Sequence, residues 1–375
     1  MRVAIVTESF LPQGNGVTNT VRHVARRLDQ TGHSTMIVAP GAGPGSYHGM
    51  PVVRTRAVGL PRYRTFPIGL PDAQVERALA DFAPDLVHLA SPIVLGALGL
   101  RAARRLDLPV VAVYQTDVSG FARQYGVRAE PFVDRWVARL HRRCERTLVP
   151  STASFDQLTG LGVPDVHLWR RGVALDLFRS GRRDESLRAS WLDRRQDGAS
   201  VTVGYVGRLA AEKRVRRLVE LGDLPGVRLV VVGDGPERGW LQDRLPGAVF
   251  TGMLTGTELA TAFASLDVFV HTGVAETFCQ TIQEAQSAGV PVIAPAVGGP
   301  VDLVDHGRTG LLYDPDHPSA LRDHVARLVG DSAMRARIAS AARIAVRGRG
   351  WPTVVDELVD HHYRAVLGEQ RRSAA

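Results

Sequence analysis

The chain has 375 residues, 45% hydrophobic and 22% charged, with a formal net charge of +8. That length suits two ordinary domains, and that composition belongs to a globular protein rather than a disordered or fibrous one. No run approaches the roughly 20 apolar residues of a spanning helix. No charged front and small-residue cleavage site marks a secretory leader. The cysteines Cys144 and Cys279 suggest neither a disulfide framework nor a metal site, so a reducing cytoplasm is the expected compartment.

In chain order, strand-like runs come at Val3–Val6, Thr35–Val38, Leu86–Leu89, Val110–Val113 and Thr147–Val149. Periodic stretches such as Thr18–Leu28 and Ala73–Asp81 lie between them and predict helices. Alternation at this spacing implies right-handed βαβ units and a parallel sheet. The pattern breaks in the polar stretch Ser180–Ser200. It resumes with Val201–Val206, Val227–Val232, Ala248–Thr251, Val268–His271, Pro291–Ala294 and Gly310–Tyr313. Two doubly wound α/β domains are therefore expected, over residues 1–173 and 174–351, with a hinge within 172–200. A final helix from Trp351 to Leu367 carries Pro352 in its first turn. In such sheets ligands bind beyond the carboxyl ends of the strands, so the residues just after each strand are the ones to read for chemistry.

Lys213 is the only lysine in the chain, against 45 arginines. It follows the strand Val201–Val206 in the segment Gly207-Arg-Leu-Ala-Ala-Glu-Lys213. Keeping one lysine where arginine serves everywhere else suggests a site that wants a compact ammonium. With Arg208 it would supply two positive charges where a helix begins, which suits a diphosphate. A surface lysine that happened to persist is the plainer reading of that residue alone.

The segment Glu276-Thr-Phe-Cys-Gln-Thr-Ile-Gln-Glu284 follows the strand ending at His271 and leads into a helix. Amides at Phe278, Cys279 and Gln280 would point out of that helix start as an anion site. Glu284 lies about two turns beyond Glu276. It could accept hydrogen bonds from ribose hydroxyls while Glu276 stays near a sugar; two ordinary surface carboxylates are the alternative.

The first strand-to-helix loop contains Gly14-Asn15-Gly16, able to cradle phosphate or sugar. Neither it nor Gly233-Asp-Gly235 fits the dinucleotide spacing, which disfavours a nicotinamide dehydrogenase. Gln115 and Asp117 close another strand, and Asp117 could orient or deprotonate an acceptor hydroxyl, or merely cap the next helix. His88 also ends a strand and is either a second acceptor-side residue or a structural histidine. Asp314-Pro-Asp316 reads as a turn, and no metal or cofactor is assigned.

Together these elements resemble glycosyltransferase family 4, from Thr7-Glu-Ser-Phe-Leu-Pro through Gly14-Asn-Gly-Val-Thr, Gly207-Arg-Leu, Lys213 and Glu276-x7-Glu284 to the Trp351 helix. The loops around Thr7–Thr18, Tyr114–Val118 and Glu276–Gln280 look most like bacterial GDP-mannose-dependent α-mannosyltransferases that act on glycolipids. The resemblance implies a GT-B fold of two Rossmann-like domains facing a cleft, retention of anomeric configuration, and no covalent sugar–enzyme intermediate. It implies that Arg208 and Lys213 bind the donor phosphates, that Glu276 contacts the transferred sugar and Glu284 the ribose. It also implies that the tail helix crosses back to the first domain. One departure is Gln115, where many relatives have histidine; glutamine cannot act as acid or base, which leaves Asp117 or the donor phosphate to take the proton.

The positive excess is confined to one half of the chain. Residues 1–185 hold 24 Arg against 16 Asp and Glu, while the rest balances. No nucleic-acid-binding motif accompanies it. Such a half can also favour anionic lipid headgroups or phosphorylated substrates, while solvated faces are the plainer reading of most of these arginines. The segment Pro131–Arg146 sets Phe132, Trp136 and Leu140 at helical spacing beside Arg135, Arg139, Arg142, Arg143 and Arg146, either as a surface that lies on a membrane or as an ordinary amphipathic helix. A UDP-sugar donor with a soluble acceptor, and a non-catalytic nucleotide-sugar or nucleic-acid binder, are the competing functions.

Overall fold

The structure, a computed structural model, describes residues 1–60, 63–70, 73–117, 130–193 and 198–373, with side chains for all of these except 60, 63–68, 130 and 369–373. It divides into two compact units, Met1–Gly172 with Trp351–Ala375, and Val173–Gly350. The sequence-based boundaries lie one residue later.

The first unit contains β1 (Arg2–Thr7), β2 (Ser34–Pro40), β3 (Ser46–Tyr47), β4 (Met50–Thr55), β5 (Ala57–Leu60), β6 (Tyr63–Gly69), β7 (Leu86–Ala90), β8 (Val110–Val113), β9 (Arg146–Val149) and β10 (Val166–Leu168). Eight of these form one sheet in the order β10-β9-β8-β7-β1-β2-β4-β3, parallel except for the β3–β4 pair. β5 and β6 form a separate antiparallel hairpin. β7, β8 and β9 are buried at every position, as expected of parallel strands covered on both faces. The helix Gly16–Gln30 starts on Asn15, whose Oδ1 accepts from the Thr18 amide at 3.0 Å.

The tail belongs to this unit. It runs as an α-helix over Trp351–Glu357, a π-helical turn over Leu358–Tyr363 and an α-helix over Arg364–Ser373. Trp351 stacks on His23 with ring centroids 4.5 Å apart, the Trp169 indole donates to the Val354 carbonyl at 2.9 Å, and Arg27 pairs with Asp356 at 2.6 Å.

The second unit contains β11 (Val201–Val206), β12 (Val227–Val232), β13 (Val249–Gly252), β14 (Val268–Val270), β15 (Val292–Pro295) and β16 (Gly310–Tyr313), paired in parallel in the order β13-β12-β11-β14-β15-β16. Two apolar cores cover its faces. One is built around Phe263, Phe269 and Ile282, the other around Tyr205, Leu218 and Leu321. From β11 the chain steps outward to β12 and β13, then returns to β11's other side with β14. That reversal opens a crevice beyond the carboxyl ends of β11 and β14.

Candidate active site

The crevice at β11 and β14 is where the cationic and acidic segments meet. β11 delivers Gly207–Lys213 and β14 delivers His271–Cys279. Lys213 Nζ lies 2.6 Å from Glu276 Oε1. The Thr272 hydroxyl donates to the Lys213 carbonyl at 2.7 Å and ties the two loops together. Beneath them His271 Nε2 sits 3.2 Å from the same Glu276 oxygen. Arg208 is exposed and pairs with the buried Glu212. The expected helix start here is corrected. Ala211–Lys213 is a single 3₁₀ turn, and Arg214 at φ +48° ends it, so the positive charge comes from side chains rather than from a helix terminus.

Burial alone would raise the Glu276 carboxyl. Lys213 and His271 outweigh it and hold the group well below the usual carboxylate range. Burial likewise opposes charge on His271, but Cys279 and Glu276 beside it carry the imidazole up to about 10. Lys213 loses solvation and regains more from Glu276, so its ammonium is raised. The cluster thus sets Lys213 and His271 on either side of one carboxylate.

Other loops hold this one in shape. Gly299 donates its amide to the Glu276 carbonyl at 2.8 Å and lies so close to the Phe278 backbone that a Cβ there would collide with it. Gly235, at φ +155°, is pressed in the same way against Leu209. The helix Gln280–Ala288 begins on Cys279, which has φ +81° and makes no side-chain cap. Its first turn therefore carries no capping side chain. The Phe278 ring is buried at 1% exposure, so only its backbone can face a ligand. Half-buried Glu284 makes no hydrogen bond or ion pair among the described residues, and burial pushes its carboxyl up to about 8.

In the first unit the crevice between β1 and β7 is occupied by the protein itself. Glu8, just after β1, accepts the amides of Ile93, Val94 and Gly96 on Oε1 at 2.7, 2.8 and 2.8 Å, and that of Leu95 on Oε2 at 3.1 Å. The start of the helix Leu95–Arg105 is therefore already filled by a carboxylate. Gly14, Asn15 and Gly16 are exposed at the neighbouring loop. The Asn15 side chain is taken up by Thr18 and by Ser9 Oγ at 2.7 Å, so backbone is what this loop offers. A Cβ on Gly16 would meet Arg171 Nη1, and Arg171 Nη2 donates to Gln115 Oε1 at 2.9 Å. Asp117 is half-buried and accepts from the Tyr114 hydroxyl at 3.3 Å.

Known proteins resemble the chain over both units. Residues 14–177 match Glycosyltransferase Family 4 and residues 200–331 match Glycosyl transferases group 1. Over its whole length the chain is 50% identical to a GDP-mannose-dependent alpha-mannosyltransferase of Mycobacterium tuberculosis, across 99% of that protein. It is 49% identical to one of Mycolicibacterium smegmatis, covering 100% of both chains. The chain belongs to glycosyltransferase family 4. Its fold is that of GT-B glycosyltransferases. Anabaena HepE in complex with UDP superposes with a TM-score of 0.79 at 20% identity, over 96% of this chain and 99% of that one. Sucrose-phosphate synthase of Thermosynechococcus elongatus gives 0.77 at 20% identity, over 98% and 99%.

As a glycosyltransferase, the protein departs from the sequence-based site in several places. His88 is not an acceptor-side residue. It is 1% exposed, its Nδ1 lies 2.6 Å from the Tyr363 hydroxyl, and burial pushes it down to about 3, so it is a neutral core histidine holding the tail on the sheet. In the helix Glu130–His141, Leu140 is buried rather than on the outer face, and Arg146 beyond it is buried against Asp165 at 3.0 Å. Val118, part of the resemblance around Tyr114, lies outside the described residues. Asp314 and Asp316 form the expected turn, the Asp316 amide bonding Asp314 Oδ1 at 2.9 Å. His271, Thr272 and Arg171 went unread as site residues. His271 closes a strand-like run and could have been flagged on the same ground as His88; nothing local marks the other two.

Among the described residues His271, Glu276 and Cys279 also bring one ligand atom each to within 4.8 Å of one another. Lys213 on the same carboxylate makes this an ion-pair cluster in its present form.

Proposed function

We propose that the protein is a retaining α-mannosyltransferase that takes mannose from GDP-mannose and transfers it to a hydroxyl of a glycolipid. The Lys213–Glu276 pair at the β11/β14 crevice carries this reading: a compact cation and a carboxylate meet where a doubly wound sheet binds nucleotides. The choice of GDP-mannose rests on three relatives, 44–50% identical, that are named for that donor.

Arg208 and Lys213 take the diphosphate, together with the amides at Phe278, Cys279 and Gln280. Glu276 receives the sugar hydroxyls and Glu284 the ribose. As the bond from the anomeric carbon to the phosphate oxygen breaks, charge grows on the leaving diphosphate. Arg208 and Lys213 stabilise it electrostatically. The acceptor oxygen attacks from the face that GDP leaves, and its proton passes to Asp117 or to the departing phosphate. Gln115, held by Arg171, orients without exchanging protons. The exposed Gly14-Asn15-Gly16 loop contributes backbone to the donor. No metal or other cofactor takes part.

Exposed Phe132 and Trp136, at 72% and 44%, with exposed Arg135 and Arg139 on the same helix, favour peripheral contact with an anionic membrane at its cytoplasmic face. Among the described residues no helix is long and apolar enough to cross a membrane.

The test is nucleoside diphosphate release from GDP-mannose, UDP-glucose and UDP-N-acetylglucosamine, with and without a crude lipid extract. Release from GDP-mannose that rises with lipid is expected. Release only from a UDP-sugar would overturn the donor. A protein that binds GDP yet releases none from any donor and lipid would be a binder.

A further inference from the structure

A second basic site lies in the first unit. Between β4 and the helix Gln74–Phe82 is an open cavity of about 590 Å³ lined by Arg54, Thr55, Arg56, Gln74 and Arg77. Three arginines therefore line one space. Among the described residues none of the three has a carboxylate partner. Glu76, the nearest acid in sequence on that helix, is engaged with Arg105 at 2.7 Å.

Arg54 is set in place in advance. Its Nε donates to the Pro44 carbonyl at 3.1 Å and its Nη2 to the Leu11 carbonyl at 2.7 Å, with the plane 5.8 Å from the Phe10 ring centroid. Its remaining nitrogen, Nη1, is buried and has no partner among the described residues. Thr55 is 3% exposed, and its hydroxyl is likewise buried without a partner. Buried donors left unsatisfied are costly, and a fixed cation with no counter-charge is more so. Burial lowers the Arg54 guanidinium.

We propose that the Arg54–Arg56–Arg77 cavity binds a phosphate ester. Guanidinium forks match phosphate oxygens in pairs, and three of them around one space suit a tetrahedral anion better than a single carboxylate. The cavity falls within the range of about 300–1,000 Å³ typical of small-molecule pockets, which leaves room for the group the phosphate is esterified to. Two sources share this chemistry: the headgroup of an anionic phospholipid and a soluble phosphate ester. The site is independent of the donor assignment, because it shares no residue with the crevice of the second unit.

The experiment titrates glycerol 3-phosphate into the full-length protein by calorimetry, with excess GDP present, and repeats it on Arg56→Gln/Arg77→Gln. Both of those side chains are exposed, so the variant should keep its circular dichroism spectrum and its GDP affinity. Saturable binding to the wild type is expected, weakened at least about tenfold in the variant by loss of two charge-assisted contacts. Arg54→Lys, which keeps the charge but loses the fork, should weaken it as well. Vesicles of phosphatidylglycerol in phosphatidylcholine then separate the sources. Vesicle binding that glycerol 3-phosphate competes away, and that the variant loses, assigns a lipid headgroup. Vesicle binding equal in wild type and variant, alongside the loss of glycerol 3-phosphate binding, assigns a soluble ester. Failure of the wild type to bind glycerol 3-phosphate or the vesicles, or equal affinity of wild type and variant for both, overturns the proposal.

Discussion

Lys213 Nζ and Glu276 Oε1 lie 2.6 Å apart although 63 residues separate them in the chain. The only lysine of the protein has found a carboxylate that His271 also contacts. That contact turns two loops into one charged surface.

Lys213→Ala is expected to lower nucleoside diphosphate release by about 10²–10³, the loss typical of removing one oriented charge-stabilising group. Far-UV circular dichroism should be unchanged. Lys213→Arg should recover little, because a planar fork does not replace a point charge against Glu276 and a phosphate. Wild-type turnover by Lys213→Ala in a donor assay would sink the phosphate-site assignment.

Glu284 gives a proton-linked signature. Its carboxyl sits at about 8 in the ligand-free protein, because burial disfavours the charged form. Ribose hydroxyls donating to the carboxylate would favour ionisation, so GDP binding at neutral pH should release a proton, and affinity should rise with pH up to about 8. For the free protein the sign is opposite. A carboxyl raised above its unfolded value adds stability at low pH that is lost as pH climbs through about 8. Calorimetry in buffers of different ionisation enthalpy measures the proton directly. Equal proton release by wild type and Glu284→Gln would show that another group is responsible.

Tyr363→Phe removes the hydroxyl that meets His88 and leaves a buried ring nitrogen unpaired, at a cost of about 1–3 kcal/mol. Denaturant unfolding should show that loss while turnover of the folded enzyme is unchanged. A selective fall in kcat with stability intact would instead restore His88 as a site residue.

Cys279 holds φ +81°, a conformation that costs a side-chain-bearing residue about 1–2 kcal/mol. Cys279→Gly is therefore expected to raise the unfolding midpoint modestly and keep activity. Cys279→Val, β-branched at the same backbone, should destabilise the Glu276 loop and raise KM for the donor. A stabilised valine variant would contradict the strain reading.

The βα alternation was legible because a buried strand and an amphipathic helix each leave a short-range pattern of apolar residues. Every parallel strand of the second unit falls within a residue or two of its expected place. The β5–β6 hairpin was missed because its strands carry Gly, Pro and Arg in place of an alternating pattern. Glu8 lay in a recognised segment, yet its role had no local signal, since its four amide donors come from residues 93–96, more than 80 positions away.

Local patterning and composition were enough to predict two doubly wound domains, a lysine worth singling out and two glutamates eight residues apart, while the family was read from the resemblance of the loop motifs; Glu276 itself lies in the loop before the helix Gln280–Ala288. Strand order was decided only by the tertiary structure. β14 lies beside β11 because the second sheet reverses there, and that adjacency joins Lys213 to Glu276, buries His271 beneath them and draws in Thr272. The same geometry closes the first unit's equivalent crevice with Glu8 and turns His88 from a strand-end candidate into a core residue. Hydrophobic period reports which face of an element is buried and is blind to which element lies next to it; that choice is made by long-range packing.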